Sequence, residues 1–273
     1  MANPDYANPL HNAAQDGDVE ALRRCLTPEA LAACPIDTRD IGKRTVLHAL
    51  CCYVGPWRHD RHESRRGDDR NAEDVEVCLQ LLLEAGADLE ALDNLGWSPL
   101  HALAWSSGDL GTEASLRLAS LLLRHGAKMD NHDSVNSTVL HAAASHASSS
   151  MVSLLLKAGA AVNAPTEAGH PLSSTPLDMA FLFGRRDNLP ILLRAGGVLN
   201  CYHVRRPDFP REVLDGSRFE YEYLAKVDAG GGFKKYEQAH LATLQKTFAP
   251  KFPVLPPEMV RHILTFCFHA GFY

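Results

Sequence analysis

STVLHAAASHASSSMVSLLLKAGAAVN, residues 137–163, decides how this chain folds. Leu140, Ala143 and Ala144 fall on one side of a short helix predicted from Leu140 to about Ser145. After a break, Val152, Leu155 and Leu156 make the apolar stripe of a second helix, predicted from about Ser150 to Ala158. Gly159 follows the leucine triad, where a helix ends with one residue in the left-handed region that glycine enters at little cost. The unit is therefore a helical hairpin, and neither helix can hide its stripe alone.

Working outward, the phrase T/S-x-Leu-His recurs at Thr45 to His48 and at Ser98 to His101. A weaker copy stands at Pro9 to His11, and an Asp-ended one at Thr175 to Asp178. The last four copies are each answered by a leucine-rich run closing on glycine: LLLEAGAD, LLLRHGAK, LLLKAGAA and ILLRAGGV, with glycines at 86, 126, 159 and 196. The interval from His141 to Gly159 is 18 residues, as is that from Asp178 to Gly196. A repeat of this size means stacked units that each pack on their neighbours, so a 273-residue chain needs no single large core.

These residues resemble the ankyrin repeat, whose signature is T-P-L-H, small residues, a leucine triad and Gly-Ala. The resemblance implies an all-α ankyrin-repeat solenoid of about five helix-turn-helix repeats with β-hairpin-like loops over residues 1–200. It also implies that His48, His101 and His141 tie their rings to backbone or hydroxyl groups between units. Asp178 in the last unit suits the positive end of a helix. The interval His48 to Gly86 is 38 residues and that from His101 to Gly126 is 25, which places inserts at about 53–72 and 106–112. The larger insert is dense in mixed charge with Pro and Gly, the composition of a solvated loop.

By the resemblance, loop tips and first helices line a concave groove where a protein partner docks. Counting from each histidine places Lys43, Arg44, Asn94, Leu95, Trp97, Val135 and Ser137 on the loops. The same count places Tyr53, Trp105, Ser145, His146 and Phe183 on the exposed ends of first helices. Trp97, Trp105, Tyr53 and Phe183 give this groove an aromatic centre flanked by Lys43 and Arg44, the composition of an interface hot spot.

Past Asn200 the leucine rhythm stops, and 201–273 reads as a helical extension. Helices are expected over Arg211–Val227, Phe233–Thr247 and Pro256 to about His269. The last is strongly apolar and must be buried, most simply as a cap on the final repeat. Alternatively, Leu255, Pro256, Glu258, Met259, Ile263 and Leu264 lie in a stretch similar to the opening of an F-box. That resemblance implies a substrate receptor docked to the linker subunit of a cullin-type ubiquitin ligase.

Twenty-seven Lys and Arg against 33 Asp and Glu give a net charge of −6, which argues against a nucleic-acid partner. Apolar runs are too short for a bilayer, so no membrane partner is expected. Seven cysteines without C-x-x-C spacing, and a start with no signal-peptide pattern, fit a cytoplasmic or nuclear protein with reduced thiols. His59, Asp60, His62 and Glu63 crowd into a charged loop without the rigid spacing a zinc site needs. With no nucleophile elbow, H-E-x-x-H pair or phosphate loop, the expectation is a monomeric, cofactor-free scaffold that is not an enzyme.

Overall fold

A computed structural model describes residues 8–51, 72–106, 112–166, 173–199, 226–227, 229–251, 256 and 258–260. Among them are twelve α-helices and no strand. The first helices of the units are α1 (Pro9–Asp16), α4 (Val46–Cys51), α6 (Pro99–Ser106), α8 (Val139–His146) and α10 (Pro176–Leu182). Their partners are α2 (Val19–Cys25), α5 (Ala72–Glu84), α7 (Thr112–Arg124), α9 (Ser149–Lys157) and α11 (Leu189–Arg194). A short α3 (Pro28–Ala33) follows the first pair, capped by Thr27. The extension contributes α12 (Phe233–Phe248) and a 3-10 turn over Ala249–Lys251.

Five pairs therefore stack in two layers. First helices lie on first helices in the order α1, α4, α6, α8, α10, and second helices likewise in the order α2, α5, α7, α9, α11. Six- to thirteen-residue helices are marginal alone, so packing across units supplies their stability. In each LLL triad the central leucine is wholly buried, Leu82, Leu122 and Leu155, while its neighbours are only partly covered. The second helices end as the glycines require. Gly159 at φ +98° donates to the Leu156 carbonyl, and Ala160 donates to that of Leu155, which closes the last turn.

The histidines bind one unit to the next. His48 Nδ1 lies 2.9 Å from Thr45 Oγ1, and its Nε2 lies 2.8 Å from the carbonyl of Trp97, ahead of the following unit. His101 repeats the pattern with Ser98 and Ser137, and His141 with Thr138 and Ser174. In the last unit Asp178 accepts from Thr175, and the Thr175 hydroxyl itself reaches the Val198 carbonyl at 2.8 Å. In the first unit His11 Nε2 meets the Arg44 carbonyl, but Asn8 replaces the hydroxyl residue and His11 Nδ1 is left unpaired.

On the other end, Phe233 and Val227 are buried and belong to the same core cluster as the final unit, and α12 lies on α11. Arg194 pairs with Glu237 at 3.4 Å and sits over the Phe233 ring. The expected helix Phe233–Thr247 is thus present, one residue longer. Of Arg211–Val227 only Lys226 and Val227 are described, and of the last helix only Pro256 and Glu258–Val260; the rest lie outside the described residues. No helix among the described residues is long and apolar enough to cross a membrane.

Candidate partner-binding face

The loops that precede the first helices are built on aspartates. Asp93 Oδ1 accepts the N–H groups of Leu95 and Trp97, both at 2.8 Å. Asp133 does the same for Val135 and Ser137, and Asp40 for Arg44. Each loop closes through paired main-chain bonds, Asp93 N–H to the Trp97 carbonyl for example, and turns through a left-handed residue: Lys43, Gly96 or Asn136. Neighbouring loops are also joined, by Asn94 N–H to the Gly42 carbonyl and Ser134 N–H to that of Leu95. The expected hairpin-like loops thus form without ladder enough to make a strand.

Gly96 has φ +75°, and a Cβ placed there would lie 2.9 Å from the Ser134 backbone nitrogen. Gly159 has the same kind of backbone but open space around it. Gly159→Ala is therefore expected to cost about 1 kcal/mol from conformation alone. Gly96→Ala adds a clash with the next loop and is expected to cost at least twice as much, about 2–3 kcal/mol. Urea denaturation of the two variants checks the order.

Rings meet where the loops join the first helices. Trp97 and Trp105 have centroids 5.0 Å apart and tilted by 41°. Trp105 stacks on His146 at 3.5 Å, and His146 meets Phe183 at 5.0 Å. A ladder of four rings therefore runs over three successive units. The Trp97 indole N–H donates to Asp133 Oδ2 at 3.2 Å, fixing one end of it to the next loop. Trp97, Trp105 and His146 are half-buried and Phe183 is 50% exposed, so the ladder has a solvent-facing side. Exposed Leu95 and Val135 stand at the loop tips, with Asn94 beside them.

His146 is held by its neighbour: Nδ1 lies 2.8 Å from Ser145 Oγ. Burial lowers the pKa of His146, and the Arg185 charge lowers it further, so the ring is neutral at pH 7.

Two residues expected at this face are corrected. Ser137 is buried because its N–H serves Asp133 and its carbonyl serves His101. Ser145 is buried because its hydroxyl reaches back to the helix carbonyls of His141 and Ala142. Arg44 is tied to Asp40 by a 2.8 Å ion pair, whereas Lys43 is exposed at its loop tip. Neither joins the ring ladder. Tyr53, Leu255, Ile263 and Leu264 lie outside the described residues, as do His59, Asp60, His62 and Glu63. Pro256, Glu258 and Met259 are exposed, the last at 51%.

The loop aspartates and the stacking of His146 were not anticipated. Their signal is an aspartate five residues ahead of each T/S-x-Leu-His, at 40, 93 and 133.

Residues 110–202 match the family model described as Ankyrin repeats (3 copies). The chain is 30% identical over 221 residues to the B-cell lymphoma 3 protein homolog of Mus musculus, a match covering 73% of this chain and 47% of that protein. The chain thus spans about half the length of that relative. The helix pairs and this match together make the fold an ankyrin-repeat solenoid.

Proposed function

We propose that the chain is a non-enzymatic scaffold that holds a segment of another protein against the first helices and loop tips. The observation that supports this is the ladder from Trp97 to Phe183, which crosses three units with one side open to solvent. Large rings held by neighbouring units lose little freedom when a partner covers them, which is why such residues dominate interfaces. In this reading α12, lying on α11, serves as a cap that shields the apolar face of the last unit. The docking of an F-box-like helix has no comparable support, since most of that helix lies outside the described residues.

The test is affinity purification from the native cell with the full chain and with a Trp97→Ala, Trp105→Ala double variant of unchanged helicity. Proteins held by the wild type are expected to be lost from the variant, with at least 2 kcal/mol, or about 30-fold, of affinity removed. Retention of the same set at equal affinity rejects the face as the docking surface.

A further inference from the structure

His146 is the ring of the ladder that can offer an acceptor: the indole N–H of Trp97 is already used by Asp133, and that of Trp105 can only donate. Its own hydrogen bonding is decided by Ser145. That serine has a single hydroxyl hydrogen, and its Oγ lies 2.9 Å and 3.0 Å from the carbonyls of His141 and Ala142, which only accept. The hydroxyl donates to the helix, so Ser145 Oγ takes the Nδ1–H of His146. In the neutral ring this leaves Nε2 as a lone pair. Nε2 has no partner among the described residues and is not among their buried unpaired atoms, so it is open to solvent on a ring that contacts both Trp105 and Phe183.

We propose that His146 is the specificity-determining residue of this face: its Nε2 accepts a hydrogen bond from an N–H or O–H on a polypeptide segment whose apolar side chains lie along the flanking rings. The inference rests on the scaffold reading above and adds which segments are accepted. A segment that offers only a carbonyl oxygen at this point meets a second lone pair and is disfavoured, because neither atom can donate. An all-apolar segment strands Nε2 without water, at the cost of an unmet acceptor. Register is set in the same way, since only one donor along the segment can face the ring while the rings on either side are covered.

The experiment pans the full chain at neutral pH against a displayed library of random linear peptides. The enriched peptides are then titrated against wild type, Trp105→Ala, His146→Phe and His146→Gln, each checked for native helicity. Phenylalanine keeps a ring without an acceptor, whereas glutamine places a carbonyl oxygen near the Nε2 position. His146→Phe is expected to weaken binding about tenfold, and His146→Gln to restore most of it. Peptides that bind Trp105→Ala as well as wild type sink the face itself. Peptides that need Trp105 but bind His146→Phe unchanged overturn the role of His146 and leave the face standing. A nitrogen-15 NMR measurement of the imidazole tautomer is independent of any peptide: hydrogen on Nδ1 is expected, and hydrogen on Nε2 overturns the proposal.

Discussion

On acidification from about pH 7 to about pH 5 the array is expected to lose stability, with the loss beginning near pH 6.5. His48, His101 and His141 all have pKa values lowered from 6.5, in each case chiefly by burial, against smaller raising contributions from backbone bonds and from Asp93 or Asp133. Their geometry explains why. Nε2–H of each ring meets a carbonyl of the following loop, and Nδ1 receives the N–H and hydroxyl of the preceding Thr or Ser. A second ring proton would have to sit on Nδ1, facing donors in a dry site. In the unfolded chain the same rings take up a proton near pH 6.5.

A lowered folded pKa means that the stabilisation is complete above the unfolded value and shrinks as pH falls below it. Each ring contributes up to about 1.4 kcal/mol per pH unit, so the three together reach about 4 kcal/mol per unit while they stay neutral in the fold. His146 moves in the same direction, but its partial exposure makes its share smaller. Urea midpoints measured across this range, beside imidazole NMR shifts, test the account. A stability that stays flat through the window, or rings that charge while the chain stays folded, contradicts it.

The same histidines show why so much of the fold was legible. Each unit writes its own hydroxyl, leucine, histidine and terminal glycine within one short stretch, and the bonds these residues make are mostly local or to the adjacent unit. What could not be counted off was the face. Position four after the histidine is Trp105 in one unit and Ser145 in another, and backbone direction is the same at both. Trp105 is too large to be covered and stacks on the next unit, whereas Ser145 folds its hydroxyl back onto its own helix and is buried. Side-chain size, not offset, decides exposure there. Likewise the residue just ahead of T/S-x-Leu-His gives its carbonyl to a histidine of the preceding unit, which draws Ser137 inward and leaves Trp97 half-covered. Helix α3 was missed for another reason: Thr27-Pro28-Glu29 is a good helix start, but it has no counterpart in the later units.

Leu122→Ala is expected to be the most damaging single substitution, at about 2–5 kcal/mol. The side chain is wholly buried on α7, which packs between α5 and α9, so the void opens on a helix held from both sides. In a stack where units touch only their neighbours, that position also carries the coupling between the two halves of the array. Weakening it is expected to do more than lower the midpoint: the unfolding transition broadens or splits, because the units on either side of α7 no longer melt together. Leu22→Ala provides the contrast. Leu22 is equally buried, but α2 belongs to the first unit and meets a second helix of another unit, α5, on one side only. Its loss is expected to fray that end while the remainder keeps a single sharp transition. Urea unfolding of both variants, followed by far-UV circular dichroism and by tryptophan fluorescence, separates the cases. Coincident, equally sharp curves for the two probes in Leu122→Ala contradict nearest-neighbour coupling and require a core shared across the whole chain.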